Sequence, residues 1–249
     1  METESGKTPF VHLHMHSEYS ILDGLSGIDS MVERVKALGI PAAALTDHGV
    51  MYGNLAFYDA CNKAGIKPLL GCEIYVAPRS MEQKERGIDD KNYHLVLLAK
   101  NEKGYRNLVK LVSRAYISGF YYKPRADKTL LKTYSEGLIA LSACLGGEIP
   151  QMILSGNMDA ARQAVGEYAD IFGKDDFYLE VQDHGIPEER LVAEAVQKLA
   201  DETGLKAVCT NDSHYTLRED SDAHDTLICI QTKKMKSDPD RMKYEPEKY

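Results

Sequence analysis

The sequence predicts an α/β fold in which a mostly parallel sheet closes into a seven-stranded (β/α)7 barrel, and three observations carry that prediction. Short apolar runs alternate with amphipathic stretches along nearly the whole chain, the pattern of repeated βαβ units. The length, 249 residues, is one that α/β barrels occupy as a single domain. No GxGxxG turn follows any apolar run, which counts against an open dinucleotide-binding sheet.

Seven runs read as strands: 10–16, 42–48, 68–76, 94–99, 138–144, 177–182 and 207–211. Helical periodicity falls between them at 31–38, 55–64, 105–115, 160–172 and 188–203, with Gly39, Gly65, Gly173 and Gly204 as stops. Two stretches read as loops: the charged 78–91, and 119–127, rich in Tyr and basic residues. Residues 1–9 are expected to be flexible, 10–232 to form the barrel, and the polar 233–249 to lead into a longer protein.

Hydrophobic residues at 43% and charged residues at 27% allow a sizeable core and argue against disorder. No apolar run approaches the ~18 residues of a membrane span, and the polar start METESGKTP is no signal peptide. The five cysteines, Cys61, Cys72, Cys144, Cys209 and Cys229, have no CxxC spacing and an odd count, so a reducing cytoplasm is expected. A net charge of −8 excludes a general nucleic-acid-coating surface. It leaves nucleic acid open as a substrate, because bound cations supply positive charge locally.

The candidate chemistry lies in metal-ligating residue types at strand ends. On a strand, His12, His14 and His16 would present three imidazoles to one face, and metal is the partner that makes their burial affordable. Asp47 and His48 follow the apolar 42–45, and Asp212 and His214 follow 207–209. Both pairs therefore sit at the carboxyl ends of strands, where α/β barrels place their chemistry. Glu73 interrupts an apolar run, as a bridging ligand or a satisfied core acid would. Cys144 ends a strand, as a ligand or a small core residue would. Asp23 reads as a turn residue, and His94 precedes its apolar run, the wrong end for the barrel rule.

The stretches FVHLHMHSEYSILDG, LTDHGVMYG, GCEIYVA, YHLVLLAKNEKGYRNLVKLVS, GLIALSACLGGEIP, YLEVQDHG and TNDSHY resemble the PHP (polymerase and histidinol phosphatase) domain. The closer resemblance is to the kind found at the N-terminus of bacterial DNA polymerase III alpha subunits, and it runs from about Phe10 onward. It implies a distorted seven-stranded barrel holding two to three divalent metals, with zinc expected for the thiolate and manganese or magnesium admissible. The family's nine-ligand pattern falls on His14, His16, Asp23, His48, Glu73, His94, Cys144, Asp212 and His214, with none missing. By that analogy one cation takes His14, His16, Glu73 and Asp212. A second shares Glu73 and adds His94 and Cys144, and a third takes Asp23, His48 and His214. Glu73, Asp212 and His48 are the expected catalytic residues of a phosphoester hydrolase, His12 stays outside the ligand set, and Asp47 is expected to orient His48.

Three weaker features remain. His184 is a candidate phosphate contact or a surface histidine, and His224 is expected to pack within an apolar helix. Lys123 and Arg125, in the aromatic and cationic stretch 119–125, are candidate substrate contacts or part of a solvated loop. The resemblance implies a 3′–5′ exonuclease or related phosphoesterase acting on DNA ends. Its alternatives are a metal-stabilised scaffold docking the polymerase core and a separate proofreading subunit, and a free-standing histidinol-phosphatase-like enzyme. Polymerase activity is not expected of this chain.

Overall fold

The computed structural model describes residues 10–244; the expected flexible stretch 1–9 and the last residues, 245–249, lie outside them. The strands are β1 (Ala42–Leu45), β2 (Lys67–Val76), β3 (Tyr93–Ala99), β4 (Arg125–Ala126), β5 (Leu138–Leu141), β6 (Phe177–Val181) and β7 (Lys206–Cys209). They form one curled sheet, a half-barrel, in the order β1-β2-β3-β5-β6-β7, with β4 paired to β2. Around it lie α1 (Ile28–Ala37), α2 (Asn54–Ala64), α3 (Glu102–Ile117), α4 (Lys128–Tyr134), α5 (Glu148–Leu154), α6 (Met158–Phe172), α7 (Pro187–Thr203) and α8 (Ser221–Thr232).

Local chemistry explains the helix limits. Asn101, Asp127 and Asn157 cap α3, α4 and α6 by accepting from backbone N–H groups three residues on. Pro187 opens α7, and Gly65 and Gly204 end α2 and α7 in the left-handed conformation.

Side-chain alternation then divides the sheet into two faces. Cys72, Ile74, Leu95 and Leu97 join the main core beneath α3, α5, α6 and α7. Val96 and Leu98 face the other way, into the half-barrel with Ala44, Leu141 and Ala143. Glu73 pairs in register with Val96. Strand parity therefore puts Glu73 and His94 on the same inner face. Burying each large apolar side chain of such a core contributes about 1.5–3 kcal/mol.

The architecture departs from the sequence expectation in two respects. β3 runs antiparallel to both β2 and β5, because the stretch between β2 and β3 is a loop without the helix that a parallel crossover needs. The run 10–16 is no regular strand but makes isolated bridges, His12 with Ala43 and Met15 with Ser213. That segment ties the β1 edge to the chain just beyond β7 through Ala44 N–H to His12 O at 2.8 Å and His16 N–H to Ser213 O at 2.9 Å. Within residues 233–244, Lys236 and Arg241 pair with Asp222 and Asp225 of α8. No helix among the described residues is long and apolar enough to cross a membrane, and all five cysteines are free.

Candidate metal centre

The antiparallel course of β3 resolves the position of His94. Tyr75 at the carboxyl end of β2 pairs with His94 at the amino end of β3, so His94 reaches the same rim as the other strand-end ligands. Backbone bridges set two more neighbours, His48 beside Glu73 and His94 beside Gly147. A Cβ on Gly146 would stand 2.9 Å from His94 Nδ1, so only glycine leaves room for that ring.

The other eight expected ligands gather around Glu73, five in direct contact with it and three through the histidines. Glu73 Oε1 lies 2.9 Å from His94 Nδ1 and 3.4 Å from His14 Nε2, and its Oε2 lies 2.5 Å from His48 Nδ1 and 3.5 Å from His16 Nε2. Cys144 Sγ is 3.9 Å from Glu73 Oε1 and 3.8 Å from His94 Nδ1. Asp212 Oδ1 stands 3.2 Å from His14 Nε2 and 3.0 Å from His16 Nε2. Asp23 meets His48 Nε2 at 3.0 Å and His214 Nε2 at 3.9 Å. Three sets of donor atoms close enough to share a cation emerge: His14, His16 and Glu73; Glu73, His94 and Cys144; His16, His48 and His214. The first two follow the expected division, while His16 joins the third set beside Asp23.

The backbone is bent to achieve this. Leu22 directly before Asp23, Ala143 directly before Cys144, and Asp212 itself have left-handed φ values of 65°, 65° and 50°. Such a conformation costs a non-glycine residue of order 1 kcal/mol or more, and it persists where the surroundings enforce it.

The electrostatics suit cation ligation. Burial favours the neutral carboxyl of Glu73 and Asp212, yet the surrounding imidazoles hold both well below the ordinary carboxylate range. Burial, joined by His48 and His214, lowers His16 to about 3 and keeps it neutral. Burial also opposes charge on His48, but Glu73 and Asp23 outweigh it and raise that imidazole to about 10. Burial beside Asp212 and Glu73 pushes the Cys144 thiol up, a bias that a coordinated cation reverses. The fit to metal rests on a separate observation. His14 Nε2, Asp23 Oδ1, His48 Nδ1, Glu73 Oε2 and His214 Nε2 are buried atoms with no partner in hydrogen-bond geometry. Several of them still lie within ion-pair distance of other ligand atoms, His48 Nδ1 2.5 Å from Glu73 Oε2 and His14 Nε2 3.2 Å from Asp212 Oδ1. The lone pairs thus crowd together without the alignment of hydrogen bonds, as donor atoms around a cation do.

The supporting contacts were only partly foreseen. Glu180, wholly buried, places Oε1 2.8 Å from His14 Nδ1 and also accepts from Gln182 and Thr210. Asp47 makes no hydrogen bond with the His48 ring among the described residues. Its carboxylate accepts from Ser17 N–H and from the Ser17 and Ser20 hydroxyls, and Ser20 Oγ in turn lies 3.2 Å from His16 Nδ1. Through Ser20 Oγ, Asp47 thus supports both the His16 ring and the His48 backbone, whose N–H donates to the same hydroxyl at 3.1 Å. His12 points away from the centre. The irregular backbone breaks the alternation, and its ring lines a cavity of about 190 Å³ with Met15, Met31 and Arg34.

Two candidate substrate contacts are corrected. His184 is not at the surface: its ring nitrogens lie 2.8 Å from Glu189 Oε1 and 2.7 Å from the Asn211 carbonyl, which anchors the strand end before Asp212. Arg125 is fully buried, its guanidinium donating to the carbonyls of Gly119, Met81, Gln83 and Asp89. Lys123 does line an open cleft, together with Asp23 and His48. His224 packs in α8 as expected and in addition sets Nε2 2.8 Å from the Asp23 carbonyl. Tyr244 brings its ring to 5.0 Å from that of His214, an approach no local pattern in the sequence announces.

Comparisons with known proteins agree with this geometry. The family described as PHP domain matches residues 12–184. The chain is 50% identical over 241 residues to the DNA polymerase III subunit alpha of Treponema pallidum, covering 96% of this chain and 21% of that protein. It is 45% identical over 242 residues to the same subunit of Thermus aquaticus, covering 96% and 20%. The chain thus spans about a fifth of the length of these relatives. Among solved structures, a provisionally assigned metal-dependent phosphoesterase from Bifidobacterium adolescentis aligns with a TM-score of 0.56 at 16% identity, covering 83% of this chain and 88% of that one. An amidohydrolase from Chromobacterium violaceum, solved with bound sulfate and no metal, aligns with a TM-score of 0.53 at 17% identity, covering 82% and 87%. At such identities the likeness is one of fold.

Proposed function

This chain belongs to the PHP domain family, and from that premise we propose that it is a multinuclear metal-dependent phosphoesterase, a 3′–5′ exonuclease acting on DNA ends. The observation that carries the reading is that, of eleven buried side-chain atoms left outside hydrogen-bond geometry among the described residues, five belong to expected ligands and meet in one cluster around Glu73. A closed structural zinc site uses four ligands. Nine, with the Glu73 carboxylate shared, support two to three cations with positions left over for substrate.

His14, His16, Glu73 and Asp212 would hold one cation, Glu73, His94 and Cys144 a second, and Asp23, His48 and His214 a third. Cys144 favours zinc, and the carboxylate-rich remainder admits manganese or magnesium. When bound, cations in such a site acidify a water toward neutrality and neutralise phosphate oxygens. The chain's own contribution is alignment. Glu73 fixes the spacing between the first two groups, Glu180 directs His14, and the Ser20–Asp47 pair directs His16. Asp23 and His48 form the inner wall of the open cleft, the side from which a phosphoester would arrive.

The test is hydrolysis of a 3′-labelled single strand and of a simple phosphodiester by the protein loaded with Zn²⁺, Mn²⁺ or Mg²⁺. Asp212→Asn and His14→Ala should each lower the rate by at least about a hundredfold while circular dichroism stays nearly unchanged. Wild-type protein inactive with every cation, or activity equal in both variants, contradicts the reading. A second reading is favoured by the chain's spanning only a fifth of its relatives. In it the metal-stiffened half-barrel docks the remainder of an alpha subunit and a separate proofreading exonuclease.

A further inference from the structure

We propose that the cleft in front of Asp23 and His48 is a stacking site for the unpaired bases of single-stranded nucleic acid, placing the adjoining phosphoester at the metal centre. The inference rests on the phosphoesterase reading and adds how the substrate is chosen. The cleft encloses about 380 Å³, and Tyr19, Tyr52, Tyr75, Tyr116, Phe120 and Tyr122 line it beside those two ligands. These aromatics come from five separate parts of the chain, so no single helix stripe or strand accounts for their meeting. Tyr52 and Tyr122 are 64% and 65% exposed. Scattered exposed aromatics need no explanation, whereas a contiguous set at the mouth of a polar centre marks a binding surface.

The part of the cleft formed by residues 119–125 is built and not merely loose. Tyr122 has a left-handed φ of 59°, and Tyr121 N–H closes on Lys123 O at 3.0 Å. That tight turn thrusts the Tyr122 ring outward. Beneath it, Gly119 passes so near the chain that a Cβ there would meet Arg125 O at 1.9 Å. The buried Arg125 guanidinium then pins the Gly119 carbonyl to the 81–89 loop. An aromatic surface fixed in advance loses less freedom when a ligand stacks on it.

Charge points to the same class of ligand. In a chain of net charge −8, the cleft lining carries a single carboxylate, Asp23, which belongs to the metal centre. Lys123 places Nζ 5.1 Å from the centroid of Tyr75, and the Tyr75 ring stacks 6.3 Å from that of His48. A cation, an aromatic face and a metal ligand thus follow one another into the centre. Base faces on aromatic rings with a cation for the backbone are how single strands are held without sequence preference. A base inside a duplex has both faces occupied by its neighbours, so the cleft favours an unpaired end.

The test uses the full chain loaded with Mn²⁺ and two 5′-labelled oligothymidylates, one intact and one lacking its two terminal 3′ bases. Fluorescence anisotropy reports binding, and product analysis on the same samples reports cleavage. The intact strand should bind about tenfold more tightly than the abasic one. Phe120→Ala and Tyr122→Ala should each weaken binding of the intact strand by about tenfold and raise KM with little change in kcat, drawing the ratio toward one. Both side chains are at least half exposed, and an unaltered melting curve checks that the variants fold. Equal affinity for the two strands, or variants that bind as wild type does, overturns the stacking site whatever the cleavage assay gives. Base-dependent binding with no cleavage of either strand supports the stacking site and strikes the phosphoesterase reading instead.

Discussion

At the scale of single residues, Glu180 shows how alignment is separated from ligation. Its carboxylate takes the Nδ1 side of His14, leaving Nε2 to face Glu73 and Asp212. Carboxylates so placed behind a ligating histidine fix its tautomer and raise its basicity. Glu180→Gln should therefore lower cation affinity by about 10–100-fold, measured by competition with a chromogenic chelator, with the fold intact. Unchanged retention would show that His14 needs no such partner. Of the expected ligands, His14, His16, His48, Asp212 and His214 were legible as polar groups on or at the ends of apolar strands. Asp23 read as a turn residue, His94 stood at the wrong end of its strand, and Glu73 and Cys144 were open to other readings, so these four were placed in the set by the family resemblance. Glu180 was not legible, because in Tyr178-Leu179-Glu180-Val181 a glutamate at alternating spacing reads as a solvent-facing position. Only the fold reveals that this face turns inward, and that Thr210 and Gln182 wait there to donate.

Elements were legible in proportion to their length and periodicity. α2, α3, α6 and α7 lie where the 3.6-residue pattern and the glycine stops place them. The short α4, α5 and β4 carry too few residues to show a period, and β4 is a strand only because β2 offers it an edge. The stretch 119–127 illustrates the loss most clearly. Its tyrosines and cations suggest a solvated loop, yet Arg125 is among the largest fully buried side chains, a place arginine almost never takes unless its donors are satisfied. Here four carbonyls satisfy them. Arg125→Ala removes those partners and leaves a void, so it should destabilise the protein by about 3 kcal/mol or more, read from denaturant unfolding. Arg125→Lys should recover little, since one ammonium cannot reproduce a planar fork of donors. Stability within 1 kcal/mol of wild type for the alanine variant would show the loop to be held by other means.

For the molecule as a whole, the α/β class and the rim location of the chemistry followed from alternating strand and helix patterns. The distortion of the barrel, with β3 antiparallel and the sheet curled into a half-barrel, was not legible, because it follows from the loop that replaces a helix before β3 and from the irregular first segment. What joins the two edges instead is the 12–17 segment, which carries two of the expected ligands, His14 and His16. Cations should consequently act as fasteners across the open side of the half-barrel. At a free concentration a hundredfold above Kd, a bound ion stabilises by about 2.7 kcal/mol. For a chain of this size that corresponds to a Tm change of roughly 5–10 °C. Chelation followed by calorimetry should show a fall of this order, reversed on adding Zn²⁺. A melting curve that stays put after verified metal loss would mean that backbone bonding alone closes the ring.

That fastening has a consequence in time. His16 and Asp212, which lie 3.0 Å apart, are separated by 196 residues of chain. A ribosome adding about 5–20 residues per second delivers the second roughly 10–40 s after the first. On the proposed metal-binding reading, His14 and His16 would through that interval be an incomplete chelate, and the cation group they share with Asp212 could close only once residue 212 had been made. A product truncated before the 212–214 turn would lack that group and the backbone bond from His16 to Ser213 that closes the seam.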